Sequence, residues 1–228
     1  AVPAARQNTA KNTASEQKQP AVIKDAAAIN EKSSGNSIAA SETALYNKYI
    51  SAGNEAKNNK NYASAIEYYK HALELRKDNN LILAVAIMYL ELKNPNMAFQ
   101  TVVSNSLNNP DAVSSITGNM IKNGYSLEAS KMLQYANTLE KSPSILFVNG
   151  YFYDMEKQYD KAAKYYGDVL DINPNDAAAA YYSARAFENM KDYKSAVSMY
   201  ERVLSINNAD TDMKNQAAKR IDALKTSL

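Results

Sequence analysis

Cysteine and tryptophan are absent from these 228 residues, and histidine occurs once. Without cysteine there is no disulfide framework, no thiolate zinc site and no thiol nucleophile. With His71 as the lone imidazole, the chain cannot assemble a catalytic triad or a metal site of nitrogen and sulfur ligands. His71 lies among Lys70, Glu74 and Arg76, the composition of a solvated helix face. The six glycines form neither a phosphate-cradling GxxxxGK run nor a dinucleotide fingerprint. The carboxylate pairs Asp154 with Glu156 and Asp168 with Asp171 read as solvated groups on helix surfaces and turns, because no apolar setting separates their pKa values. An enzyme is therefore not expected, and no cofactor or metal is implied. Charge of either sign is not in excess, with 26 basic against 24 acidic residues, so bulk electrostatics give no argument for nucleic acid. The longest apolar run, Leu81 to Leu90, is half of the roughly 20 residues that a membrane-spanning helix needs, and it reads as a buried helix.

What the chain does have is tyrosine, 17 residues of it, and a period. From Pro143 to Asp176 the sequence predicts two helices. Leu146, Val148, Phe152 and Tyr153 fall at helical intervals, Gln158 to Asp160 turn the chain, and Ala162, Ala163, Tyr166, Val169, Leu170 and Ile172 resume the stripe before Pro174. One such pair cannot cover its own apolar faces, so it requires neighbours of the same kind. The small residues opening each second helix, Ala65, Ala98, Ala129, Ala162 and Ala196, recur at separations of 33, 31, 33 and 34.

A helix-turn-helix unit of about 34 residues resembles the tetratricopeptide repeat. Several columns carry the likeness over residues 46–210. Gly53, Ala86, Thr117, Gly150 and Ala184 stand at the close approach of the paired helices. Tyr62, Tyr159 and Tyr193 precede the second helix, Tyr69, Tyr166 and Tyr200 fill its large site, and Pro110 and Pro174 close it. The middle copies depart from the pattern. Copy two has Val102 at the large site and Asn105 where a small residue belongs, and copy three has Leu133 and Asn137. The resemblance implies an all-α, right-handed solenoid of about five repeats (46–78, 79–109, 110–142, 143–176 and 177–210). Thr211 to Leu228 then carries Met213, Ala217, Ile221, Leu224 and Leu228 on one stripe, as a helix capping the last repeat must.

In this family the first helices line the concave side. Carried across residue by residue, that places Asn54, Leu83, Ile87, Phe147, Tyr151, Asp154, Tyr181 and Arg185 in the groove as partner-binding candidates. The carboxylate clamp of the chaperone-binding members is not expected, since only Asn54 matches it, with Ile50 and Val85 where Lys and Asn are needed. The expected partner is a protein, offering an extended segment or a helix with apolar anchors. The alternative is that Phe147, Tyr151 and Tyr181 only pack against neighbouring repeats.

Residues 1–41 contain no aromatic residue and few aliphatics, which predicts a disordered tail or linker. Within it, Val22, Ala26 and Ile29 share a helical face that is able to fold on a partner, although a transient helix is the simpler reading. Order is predicted to begin with Ser41 as cap and a first helix from Thr43. A start at Ala1 without methionine leads to the expectation of a removed upstream segment: a cleaved signal, a membrane anchor or a trimmed start. The resulting reading is an adaptor in the assembly of a bacterial envelope machine such as a pilus, secretion or motility apparatus, located in the periplasm or envelope. The alternatives are a structural subunit that stacks through its solenoid within a multi-protein complex, and a cytoplasmic chaperone of a secreted substrate.

Overall fold

The computed structural model describes residues 35–226. Most of the predicted tail, with Val22, Ala26 and Ile29, and the last stripe residue Leu228 lie outside the described residues. Among those described there are eleven helices and no strand: α1 (Gly35–Asn58), α2 (Tyr62–Leu75), α3 (Asn79–Glu91), α4 (Pro95–Ser104), α5 (Pro110–Lys122), α6 (Ser126–Ala136), α7 (Pro143–Met155), α8 (Tyr159–Ile172), α9 (Ala177–Asn189), α10 (Tyr193–Ser205) and α11 (Thr211–Lys225). Helices pair in sequence, and each pair packs on the next. The result is the predicted solenoid, closed by α11 against α10.

The ends of the helices are written in short side chains. Asp78, Asn109, Ser142 and Asp176 cap the helices that open the second to fifth pairs, and Asp210 caps α11, each accepting from a backbone N–H of the first turn. Each turn inside a pair holds one residue in the left-handed region, at Lys60, Lys93, Gly124, Lys157 and Lys191, spaced as the alanine column is. The following N–H reaches back across six residues, as in Asn61 to the Ala56 carbonyl (2.9 Å) and Gln158 to the Tyr153 carbonyl (2.8 Å). This closes the preceding helix and starts the next within a few residues. Lysine is a costly occupant of a site that glycine enters freely. Lys157→Gly is thus expected to raise stability by up to about 1 kcal/mol in chemical denaturation; a fall would mean that the lysine stem is supporting the turn.

The five alanines of the column are all 0% exposed. Against them sit Tyr69, Tyr166 and Tyr200, also buried, and the first helices make room: a side chain on Gly53 would strike the ring of Tyr69, and one on Gly150 the ring of Tyr166. The departures in the middle copies compensate one another. Where the second helix has the smaller Val102 or Leu133, the first has Ala86 or Thr117 rather than glycine, so the space between the helices stays filled.

Asn105 and Asn137 have a different effect: each ends its helix, leaving α4 with 10 residues and α6 with 11 against 14 in α2 and α8. Asn105 turns its side-chain amide onto the Thr101 carbonyl, and Asn137 exchanges hydrogen bonds with Asn149. Around the shortened helices, α5 packs directly on α3 and α7, and α4 on α6.

Two boundaries differ from expectation. The first helix begins at Gly35, not at Thr43. Ser41 lies inside it, and Thr43 Oγ1 donates to the Ala39 carbonyl at 2.9 Å, a bond of the helix interior, so the helix-forming run Ile38–Ala40 prevails over the capping tendency of serine. Pro110, expected to close the second helix of copy two, instead occupies the first turn of α5, where its missing N–H costs nothing.

Candidate protein-binding groove

The first helices of the third, fourth and fifth pairs, α5, α7 and α9, enclose an open groove of about 630 Å³. Ser114 and Gly118 come from α5, Phe147, Val148 and Tyr151 from α7, and Ala178 from α9, with Asp111 and Asp176 at the end where the helices begin. The lining follows from helical spacing: Phe147 and Tyr151 are one turn apart on one face, as are Ser114 and Gly118. Gly118 leaves room there, since a side chain added to it would meet only Val148, at 3.9 Å.

Behind Phe147 and Tyr151 lies a cluster of rings centred on Tyr182 of α9. Its centroid is 5.6 Å from Phe147, 6.2 Å from Tyr151, 5.7 Å from Tyr166 and 5.9 Å from Tyr181, the separations of edge-to-face and tilted aromatic pairs. The guanidinium of Arg185 lies 5.2 Å from the Tyr182 centroid and 3.9 Å from Oδ2 of Asp154. Asp154 is buried, with 4% of its side chain exposed. This corrects the reading of Asp154 as a solvated surface carboxylate. It lies one turn beyond Tyr151 on α7, and the packing of α9, which no local pattern reveals, covers it.

Burial raises the Asp154 carboxyl above its ordinary value, and Arg185 pulls it partly back. The Tyr166 phenol, fully buried and without a hydrogen-bond partner, is held far above the ordinary range, by burial first and then by Asp154 and Tyr182. The Tyr151 phenol is raised by burial, with Tyr182 and Asp154 adding to it. An acid whose folded pKa is raised favours folding when protonated. Its contribution is complete below the ordinary carboxylate range and is lost as pH rises through the raised value. Asp154→Asn is therefore expected to be neutral to stabilising at pH 7, by about 1 kcal/mol, because the partly exposed Arg185 is left solvated. That difference from the parent should shrink as pH falls toward 4. Melting curves at both pH values test this, and a variant that melts lower at pH 7 contradicts it.

Residues 155–220 match a tetratricopeptide repeat family, and residues 49–79 match a second one. Over those two stretches the chain carries tetratricopeptide repeats. The uncharacterized protein ycf37 of Pyropia yezoensis is 35% identical over 71 residues, which is 31% of this chain and 37% of that protein, so the matched stretch spans little more than a third of that relative. Among solved structures, MamA superposes with a TM-score of 0.55 at 20% identity, covering 77% of this chain and 94% of its own. YrrB, described as a tetratricopeptide protein with an unusual peptide-binding site, superposes with a TM-score of 0.54 at 20% identity, covering 75% and 90%. At these identities the likeness is one of fold.

In tetratricopeptide terms the groove is built from the first helices of repeats three to five. Of the residues expected there, Phe147 and Tyr151 line the groove, and Asp154, Tyr181 and Arg185 join them only through the cluster around Tyr182, all on α7 and α9. Tyr181 turns away from the groove toward the capping helix, its hydroxyl donating to Gln216 Oε1 at 2.8 Å and its ring edge meeting Tyr200. Leu83, Ile87 and Asn54 lie on repeats two and one and do not line this groove. Leu83 packs on the middle core, Ile87 is half-buried on α3, and Asn54 accepts the Tyr69 hydroxyl at 2.6 Å. Tyr182, the ring at the centre, was not among the residues expected. It stands beside Tyr181 in the sequence, one step off the concave register, so periodicity assigns it to an interface between helices without saying that four rings converge on it.

Proposed function

We propose that this chain is a protein-binding scaffold that holds an extended segment or a short helix of its partner in the groove between α5, α7 and α9. The observation that carries this reading is the partly exposed row Phe147 and Tyr151, set beside Val148 on a wall that Gly118 leaves open. Aromatic side chains desolvated together supply most of the binding energy of such contacts, commonly about 2 kcal/mol or more at a hot spot. Tyr151→Ala is accordingly expected to weaken retention of the partner from a lysate of the source cell by about thirtyfold, while Lys164→Ala on the exposed face of α8 leaves it unchanged. Melting curves run in parallel separate binding from folding. A folded Tyr151→Ala protein that retains the partner as well as the parent removes the groove from consideration.

More finely, the reading is of an adaptor in the assembly of a bacterial envelope machine. It is supported by the polar, aromatic-free stretch ahead of the repeats, suited to a spacer, and by a cysteine-free composition. Fractionation of cells producing the full-length gene product tests the location; recovery in the cytoplasmic fraction alone would favour the chaperone alternative.

A further inference from the structure

The inference below rests on the groove reading and assigns the chemistry of what the groove holds. Two of the described arginines spend their donors within the fold, Arg202 on the Pro174 carbonyl and Arg220 on Glu188. Arg76 lies 3.8 Å over the Tyr46 ring, away from the groove. Arg185 stands beside the aromatic row of the groove. Its side chain is 43% exposed, its nearest carboxylate oxygen is 3.9 Å away, and among the described residues nothing accepts a hydrogen bond from it. A guanidinium offers five donors in a rigid fork, and here none of them is used.

The surroundings hold this group in place without satisfying it. Tyr182 supports the guanidinium through its ring, and Asp154 draws it in from below. The charge of Asp154 is opposed by burial and by its place in the last turn of α7, at the negative end of the helix dipole, and among the described residues the Arg185 guanidinium 3.9 Å away is what offsets it. Below them the Tyr166 hydroxyl is buried without a partner. Tyr151 links this cluster to the groove, since its ring lines the groove and its phenol senses both Asp154 and Arg185. A cationic side chain entering here would meet Arg185, whereas a carboxylate would find an unused fork. At the other end Asp111 and Asp176 repel the same carboxylate, which sets the direction in which a segment lies.

We infer that Arg185, positioned by Tyr182 and Asp154, receives the carboxylate of an Asp or Glu side chain in the partner segment, next to an apolar residue seated on Phe147, Val148 and Tyr151. Charge-assisted, two-pronged hydrogen bonding gives such a contact both strength and orientation.

The test is selection of random peptides, displayed with their C-termini fused, on the full 228-residue chain, followed by titration of the best peptide with its C-terminus amidated. Enriched peptides are expected to join an aromatic or aliphatic residue to a nearby Asp or Glu. Arg185→Gln should weaken the amidated peptide about tenfold or more, as expected for a hydrogen bond to a charged group. Changing the peptide's acid to its amide should do the same, and both changes together should cost no more than either alone. Arg185→Lys should retain part of the affinity, because it keeps the charge and loses the fork.

If the peptide depends on Tyr151 but shows no coupling to Arg185, this inference fails and the groove reading stands. If binding is indifferent to Tyr151→Ala, both fail. Enrichment of peptides that carry no Asp or Glu overturns the side-chain assignment. Self-association of the purified chain that Arg185→Gln abolishes names a second copy as the occupant and overturns the inference of a partner segment.

Discussion

Gly150→Leu is expected to destabilise the fourth repeat more than any other single change considered, by roughly 1 to 3 kcal/mol and occasionally more. Any side chain at 150 begins with a Cβ 2.7 Å from Cε1 and 2.9 Å from Cδ1 of Tyr166, distances at which one of the two must move. Tyr166 has nowhere to go. It is fully buried, with Phe147 at 5.3 Å and Tyr182 at 5.7 Å between ring centroids, so displacing it disturbs the cluster behind the groove as well. Gly118 is the control. Gly118→Ala meets only Val148 and gains helix propensity, so it should be neutral or stabilising by up to about 1 kcal/mol. Urea titrations of the two variants decide the matter, and equal losses would place the third repeat out of register with the fourth.

Truncation after Ala209, which removes α11, should have the other large effect. Ala217, Ile221 and Leu224 are 0, 4 and 5% exposed and share a cluster with Tyr200, Val203 and Ala184 of the last repeat. Burial of Ile221 and Leu224 contributes about 1.5 to 3 kcal/mol each on transfer grounds, an upper figure since the unfolded chain is itself partly compact. The truncation also frees Glu188 from Arg220 and Tyr181 from Gln216. What remains is an apolar end of the kind that a solenoid cannot leave open. The shortened protein is expected to dimerise through that end or to precipitate, and to melt earlier. Sedimentation velocity with a thermal scan tests this; a monomer of unchanged stability would show that α11 is not a cap.

These two results weigh differently on what could be read in advance. Gly150, the alanine column and the stripe Met213, Ala217, Ile221 and Leu224 were legible because a helix repeats every 3.6 residues, so a single strand of sequence already states which face each helix buries. Capping was read at Ser41 alone, and there the helix runs through it; the caps Asp78, Asn109, Ser142, Asp176 and Asp210 act on backbone groups two or three residues away and went unread. The turn read at Gln158 to Asp160 lies a residue or two late, since the left-handed residue is Lys157 and Tyr159 already opens α8; four of the five turns put lysine where glycine would be the signal, so only the spacing pointed to them.

Other features depended on which faces of different helices come together. That α7 and α9 close over Asp154 cannot be seen in either helix alone, because Asp154 and Arg185 are brought within 3.9 Å by the packing of α8 between them in the chain. Tyr182 became the centre of four rings for the same reason, and Tyr181, expected in the groove, turned toward the cap because α11 offered Gln216. Early ends at Asn105 and Asn137 shortened α4 and α6, and the first helices of the middle repeats then met directly. The sequence by itself determined the repeat, its period and most of the apolar stripe on α7, α8 and α11, all of which rest on interactions a few residues long. The tertiary structure alone decided where a buried charge and an unsatisfied guanidinium meet, because that depends on the distance between residues that only packing brings together.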